Sequence, residues 1–414
     1  MVRGDVNRND RAVTAFAMLG HAMFHTYELA IPLFVVVWLD AFTVTPLVMG
    51  VVVGVSYAAI GLGALPAGLL ADRVPARTLV LGCLLGMGVS VALLSVAPSL
   101  PVLTVALLCW GVSASVYHPA GLTLLSRATR QRGRAFALHG VAGNVGVATG
   151  PLLAVVLLGL FDWRTVAAAL VVPVVLAILL ATRLEFDETA GVEARGAATE
   201  DADSIQSVGD FLGHSRAIFA GGFVLVFLVG ILYGTYYRGA VTFLPDILAA
   251  LPLFDPVDLA GATLDPSQYV YAGLLLLGGV GQYVGGRLVD AVRTESALVG
   301  GYLALAAVAI AFVPLANAGL ATLLVGAAVL GFLVFAIAPV NQEAISAYSD
   351  ADVRGLSFGY TYAAIFGVGA VGATLAGAIL TRWDAGVLFL VLAALAIVAA
   401  GVAALLRWRS RPPA

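Results

Sequence analysis

The chain has 414 residues, of which 61% are hydrophobic and only 11% are charged, and its formal net charge at pH 7 is −3. Apolar stretches of about 20 residues, long enough to cross the hydrocarbon core of a bilayer, recur along the whole length. This composition excludes a soluble globular protein and predicts an all-α polytopic membrane protein, because the unpaired backbone groups of an open strand would each cost several kcal/mol in lipid.

Twelve membrane-spanning helices are predicted. The first apolar stretch is too long for a secretion signal and lacks a small-residue cleavage site, so we interpret it as a retained span. In chain order the predicted spans cover approximately residues 12–39, 46–70, 78–97, 101–125, 136–160, 163–183, 217–244, 268–289, 296–315, 319–345, 356–380 and 385–406.

The arginines predict the orientation of these helices. All 21 basic residues are arginine. A topology with both termini in the cytoplasm places them on the inner side, except Arg164 and Arg382 in outer loops and Arg238 within a span. Because this distribution obeys the positive-inside rule, we expect cytoplasmic N and C termini.

A polar segment divides the chain into two halves. Residues 184–216 lack an apolar period and carry many acidic side chains among Gly, Ala and Ser, which is typical of a solvated linker. We expect an N-terminal six-helix bundle at 1–183, an acidic cytoplasmic linker at 184–216 and a C-terminal six-helix bundle at 217–414. The acidic residues of the linker are Glu185, Asp187, Glu188, Glu193, Glu200, Asp201, Asp203 and Asp210.

An internal repeat supports this division. The string Gly-Leu-Leu-Ala-Asp-Arg-Val at residues 68–74 follows the second span, and Gly-Arg-Leu-Val-Asp-Ala-Val at residues 286–292 follows the eighth. The two strings share Gly, Leu, Asp and Val at matching places, which indicates two homologous halves. In such architectures the solute site lies between the halves near the membrane midplane, so the repeat predicts a transporter.

The first string also carries a family resemblance. It resembles the signature loop between the second and third spans of the major facilitator superfamily, and the resemblance covers essentially the whole chain. This resemblance implies two six-helix bundles that rock around a central cavity lined by spans one, four, five, seven and ten. The matching residues are Gly68, Leu70, Asp72, Arg73 and Arg77, with Pro75 where the family often has glycine.

The family resemblance implies a conformational latch at the inner ends of the two halves. Gly68 is expected to let two helices approach closely, and Asp72 to pair with an arginine or with a helix N-terminus. Gly286 and Asp290 form the second copy of the latch. The alternative is that Asp72 only caps the turn and that the neighbouring arginines only set the topology. The first copy also includes Arg73 and Arg77.

A second stretch narrows the resemblance to one group within this family. Span four ends in Tyr-His-Pro-Ala-Gly at 117–121, and span five carries Gly-Asn-x-Gly at 143–146 and Gly-Pro at 150–151. This pattern resembles fosmidomycin-resistance-type efflux proteins, and it implies that span five holds an antiporter motif. The motif glycines permit close packing and its proline bends the helix, although ordinary small-residue packing is the alternative. The motif residues are Gly146, Gly150 and Pro151.

Ionisable groups inside the spans are candidates for proton coupling. His21, His25 and Glu28 of span one are spaced i, i+4 and i+7 and therefore lie on one helix face. A carboxylate beside an imidazole can exchange a proton near neutral pH, so Glu28 and His25 are the leading candidates. His118 is the third, since span four lacks the buried arginine that many family members have. We interpret His21 as a bystander near the inner end; a purely structural hydrogen-bonded trio is the alternative.

Span seven contains an arginine that could bind an anion. The guanidinium of Arg238 could hold a carboxylate, phosphonate or phosphate group bidentately, or it could instead extend to the outer interface or pair with Asp40 or Asp246. In span ten, Glu343 could be a second protonation site or an interfacial partner of Arg354. The residues predicted to line the substrate cavity are Arg238, Tyr237, Tyr117, His139, Asn144 and Glu343.

Several classes of function are excluded by the sequence. It has no Gly-rich nucleotide loop, no metal-ligand spacing and no large soluble domain, so we expect no enzyme activity, no cofactor, no metal and no nucleic-acid partner. The prediction is a monomeric plasma-membrane transporter that uses a proton gradient to export a small anionic or amphipathic compound, such as a drug or phosphonate. Proton-coupled uptake of an organic anion is the second choice, and a non-transporting membrane sensor is a remote third.

Overall fold

The computed structural model describes residues 7–71, 73–193, 208–259, 262–349 and 354–410. Within these ranges twelve helices are long and apolar enough to cross a membrane, which confirms the predicted number. In chain order they are α1 Arg8–Ala41, α2 Pro46–Ala71, α3 Ala76–Ser95, α4 Leu100–Ala128, α5 Arg132–Leu158, α6 Trp163–Thr182, α7 Phe223–Ala249, α8 Pro266–Ala291, α9 Thr294–Ala318, α10 Leu320–Ala347, α11 Leu356–Arg382 and α12 Ala385–Arg409.

Three of these helices are interrupted four residues before a proline. The breaks follow Ser115 in α4, Ala169 in α6 and Val241 in α7. A proline has no N–H for the carbonyl four residues earlier, and its ring crowds that carbonyl. The responsible prolines are Pro119, Pro173 and Pro245. Not every proline has this effect, because α5 continues through its motif proline.

Helices α2 and α11 bring the two halves into backbone contact. A Cβ added at Gly50 would lie 2.5 Å from the carbonyl oxygen of Ala373, and one added at Gly61 would lie 2.0 Å from the backbone nitrogen of Gly367. Gly367 ends a π-helical turn, Ala363–Gly367, within α11. Only glycine permits such an approach, so this contact fixes how the halves are docked.

In the part that the structure describes, the linker between the halves is partly helical. Ala190–Glu193 and Val208–Ala220 are helical, whereas residues 194–207 lie outside the described ranges. The carboxylate of Glu188 accepts hydrogen bonds from the backbone N–H groups of Ala76 and Arg77 at 2.9 and 3.0 Å, and so caps the start of α3. The first part of the linker is therefore fastened to the first half.

The loop between α7 and α8 contains a short antiparallel hairpin. Strand β1, Val257–Leu259, pairs with β2, Ala262–Leu264, with Val257 opposite Leu264. The hairpin lies outside the helices that build the site.

Candidate functional site

The predicted polar face of α1 forms a continuous hydrogen-bonded row. Nδ1 of His25 lies 2.6 Å from Oε2 of Glu28, and Nε2 of His25 lies 3.2 Å from Nε2 of His21. His21 and Glu28 are buried. The close packing of α1 against α5 encloses His21, and its interpretation as a bystander in proton coupling stays a prediction.

An ion pair joins the two halves inside the membrane. The guanidinium of Arg238 on α7 donates a hydrogen bond to Oε1 of Glu28 on α1, and each residue is only 1% exposed. The alternatives of an interfacial Arg238 or of a pair with Asp40 or Asp246 are thus wrong. A charge buried this deeply requires an opposite charge beside it, and the sequence alone did not reveal that α7 turns Arg238 toward α1.

Aromatic rings enclose the guanidinium. The Cζ atom of Arg238 lies 3.6 Å from the ring centroid of Tyr57, 5.0 Å from that of Tyr237 and 5.6 Å from that of Phe366. The Tyr57 hydroxyl also donates to the backbone carbonyl of Glu28 at 3.1 Å. These rings stabilise the cation through their π faces. Sequence reasoning missed Tyr57 and Phe366, since neither belongs to a motif.

Arg238 keeps unused hydrogen-bonding capacity. Among the described residues its Nε atom has no hydrogen-bond partner although it is buried. A guanidinium offers five N–H donors in a planar fork that matches a carboxylate or phosphonate. The Nε–H of Arg238 is thus a buried donor that no described residue satisfies.

Glycines of α5 bring its histidine against α1. A Cβ added at Gly146 would lie 2.2 Å from the carbonyl oxygen of Ala22, and one added at Gly150 would lie 2.2 Å from that of Thr26. The close packing predicted from the span-five motif is present at both glycines. Pro151 lies in a helix that is continuous from Arg132 to Leu158. Whether this motif marks an antiporter stays a prediction.

Four of the five histidines gather beside the ion pair. His139 stacks on His21 with ring centroids 3.8 Å apart, and its backbone carbonyl lies 2.7 Å from Nδ1 of His21. The Tyr117 hydroxyl lies 3.0 Å from Nε2 of His139. The His118 ring lies 5.3 Å from that of His21 and 6.0 Å from that of His25. The assignment of Glu28, His25 and His118 to proton exchange stays a prediction.

The histidine cluster also has a spacing that could hold a metal ion. One ligand atom from each of His21, His25 and His118 lies within 4.8 Å of the other two. The sequence predicted no metal cluster. His118 lies on a different helix from His21 and His25, so the three histidines do not form a recognisable metal-binding motif in the sequence.

Two further residues, Asn144 and Glu343, are predicted to line the substrate cavity. Asn144 faces the second half, with its Oδ1 4.0 Å from a Cβ added at Gly279, and this Oδ1 has no partner among the described residues. Glu343 is exposed near the end of α10. Whether Glu343 lines the substrate cavity stays a prediction.

The predicted latch is not assembled by the residues that the structure describes. A Cβ added at Gly68 or Gly286 would meet nothing within 4 Å, so close packing at these glycines is wrong for this conformation. Asp290 and Arg73 are exposed, and Asp72 lies outside the described ranges. The guanidinium of the remaining member, Arg77, donates instead to the carbonyl oxygens of Leu184 and Thr182 at 2.5 and 3.0 Å.

Comparisons with known proteins agree with this architecture. The sequence profile of the Major Facilitator Superfamily matches residues 13–361 and 268–414, and the chain therefore belongs to that family. It is a multi-pass membrane protein with the fold of a transporter. No curated protein sequence matches the chain.

Solved structures share the fold at low sequence identity. A bacterial homolog to the human lysosomal transporter Spinster, in an inward-facing and occupied conformation, has a TM-score of 0.74 at 13% identity over 99% of this chain and 100% of that one. A D-xylose–proton symporter has a TM-score of 0.74 at 14% identity over 98% of each chain. A mutant of the peptide transporter POT, in complex with alafosfalin, has a TM-score of 0.71 at 14% identity over 98% of this chain and 96% of that one.

Proposed function

We propose that this protein exports a small anionic or amphipathic compound, such as a drug or phosphonate, across the plasma membrane by alternating access, driven by a proton gradient. The observation that carries the proposal is the buried ion pair between Arg238 and Glu28, which joins the two halves. The spare Nε of Arg238 makes that guanidinium the group best suited to an oxyanion.

The ion pair supplies a link between solute binding and the docking of the halves. An anion that enters the site competes with Glu28 for the N–H groups of Arg238. Because these two residues belong to α1 and α7, weakening their pair weakens one contact between the halves. A solute can shift the conformational equilibrium only through such a difference in interactions between two states.

Export is the proposed direction because of the resemblance to fosmidomycin-resistance-type proteins, carried by Tyr117-His118-Pro119 and by the Gly146-to-Pro151 motif. The proton gradient is the proposed energy source because the sequence has no nucleotide-binding loop. Uptake of an organic anion by symport would use the same site. Proteoliposomes preloaded with the solute, subjected to a pH jump, distinguish the two, since an antiporter and a symporter move solute in opposite directions along one proton gradient.

Binding measurements on Arg238 variants test the anion site. We expect Arg238→Lys to weaken the binding of phosphonates and organic carboxylates at least tenfold, because lysine keeps the charge but loses the planar fork. Arg287→Ala is the matched control, since Arg287 also lies over a tyrosine ring, that of Tyr283, but is exposed. Equal affinity of Arg238→Lys and wild-type protein for every bound anion would refute this role.

A further inference from the structure

The three imidazoles beside the ion pair form a second candidate site. We propose that His21, His25 and His118 bind a divalent transition-metal ion of the Zn²⁺, Co²⁺ or Ni²⁺ class. The proposed ligands are Nε2 of His21, Nε2 of His25 and a ring nitrogen of His118. Its ligands do not include Arg238, but Glu28 contacts both His25 and Arg238, so the two sites are neighbours. The inference goes beyond the transport proposed above.

The spacing of the nitrogens fits tetrahedral coordination. Zinc–nitrogen bonds of about 2.0–2.1 Å at the tetrahedral angle place two ligand nitrogens roughly 3.3 Å apart. The Nε2 atoms of His21 and His25 are 3.2 Å apart, and a nitrogen of His118 lies within 4.8 Å of both. To complete a three-histidine site, the His118 ring would have to turn its nitrogen closer to the other two.

In His21 and His25, the ring nitrogen that would not bind the metal already makes the kind of hydrogen bond that orients a metal-bound histidine. A metal-bound histidine usually directs its second nitrogen at a carbonyl or a carboxylate, which fixes the ring and the tautomer. Nδ1 of His21 donates to the backbone carbonyl of His139 at 2.7 Å, and Nδ1 of His25 lies 2.6 Å from the Glu28 carboxylate. Both hydrogen bonds direct Nε2 toward the common centre.

The third ring lacks any competing partner. His118 is 7% exposed and makes no hydrogen bond to a described residue, so its nitrogens are free to bind a metal. Phe24 holds it edge-on at a centroid distance of 4.5 Å and contacts His25 at 4.9 Å. Three protein ligands leave a fourth coordination position for water or for an oxygen of a bound solute.

Cobalt titration of the full chain tests the site directly. The protein is purified in detergent without a polyhistidine tag, treated with a chelator and titrated with Co²⁺, whose visible d–d bands report tetrahedral coordination. We expect one Co²⁺ per chain, displaced by Zn²⁺. His25→Ala and His118→Gln should each weaken binding at least tenfold.

Two matched variants serve as controls. His214→Ala removes a histidine on the Val208–Ala220 helix, outside the cluster, and should leave the cobalt spectrum unchanged. His139→Phe keeps the backbone carbonyl that orients His21 and a ring to stack on it, so it should also keep the stoichiometry. Monodisperse elution of each variant shows that it has folded.

Two results would overturn the metal site. One is the absence of tetrahedral bands in wild-type protein; the other is equal cobalt affinity in wild-type protein and in both ligand variants. Either would mean that the 3.2 Å contact of His21 with His25 is only a hydrogen bond between rings. Arg238→Lys should retain cobalt binding while losing anion affinity, so failure of this site and failure of the proposed anion transport are observed separately.

Discussion

At the scale of single residues, Glu28 and Arg238 each stabilise the buried charge of the other. Removing one member of a buried ion pair leaves an uncompensated charge and costs about 3–5 kcal/mol, whereas removing both can be nearly neutral. Tyr57 and Tyr237 add to this dependence, because their rings stabilise the guanidinium only while it stays between them.

A double-mutant cycle measures the coupling. We expect Glu28→Gln and Arg238→Met each to lower the free energy of unfolding by about 3 kcal/mol, and the double variant to lower it by clearly less than the sum of the two. Denaturant unfolding in detergent provides the measurement. Arg293→Met is the control, because its pair with Glu295 spans 3.5 Å and its side chain is 54% exposed, so the loss should be below about 1 kcal/mol. Additive effects would contradict a cross-half pair.

At the scale of helices, glycine and proline determine most of the local geometry. The breaks in α4, α6 and α7 could be predicted from Pro119, Pro173 and Pro245, since each break lies four residues earlier. The glycines of α5 could be predicted to pack closely, but not which helix they meet. The spacing of residues shows which of them share one face of a helix, but it does not show which other helix packs against that face.

Alanine substitutions along α5 test this packing. Gly146→Ala should destabilise the protein by about 1–3 kcal/mol, because its Cβ would lie 2.2 Å from the Ala22 carbonyl oxygen and α1 would have to move. Gly140→Ala on the same helix meets nothing within 4 Å and should be neutral or stabilising by about 0.5–1 kcal/mol. Thermal unfolding compares the two, and equal effects would be inconsistent with the α1–α5 contact.

At the scale of the whole molecule, the halves are closed at the end that the arginine distribution predicts to face outward. A Cβ added at Gly377 would lie 2.2 Å from the carbonyl oxygen of Pro46, and the backbone N–H of Leu47 donates to the Thr381 hydroxyl at 2.8 Å. Toward the other end of α2, a Cβ added at Gly68 would meet nothing within 4 Å.

A cross-link at the closed end tests whether it must open. We expect oxidation of a Leu47→Cys/Thr381→Cys pair to abolish transport, and reduction to restore it, because a disulfide fixes two Cα atoms within about 7 Å. Cys109 is exposed and is first replaced by serine, whereas Cys83 is buried. Single-cysteine variants under oxidant are the control. Full transport by the cross-linked protein would show that this end stays closed throughout the cycle.

The sequence predicted the framework of the molecule better than its centre. The twelve spans, the two halves and the shared face of His21, His25 and Glu28 follow from hydropathy and helical period. The ion pair between Glu28 and Arg238 could not be predicted, nor could the position of His118 beside His21 and His25. Both depend on how helices that are distant in the sequence pack together. Arg238 illustrates this limit, since the sequence suggested Asp40 or Asp246 as its partner whereas the packing gives it Glu28.

The pair of Glu28 and Arg238 also has a consequence for biosynthesis. Glu28 is made with the first span and Arg238 with the seventh, so a nascent chain with six inserted helices carries a carboxylate that has no guanidinium to meet. Until α7 enters the bilayer, that carboxylate must pair with His25 of its own helix, remain hydrated or be neutral. Insertion of the helices and docking of the halves are therefore separate events, and the second cannot finish before the ribosome has passed Arg238.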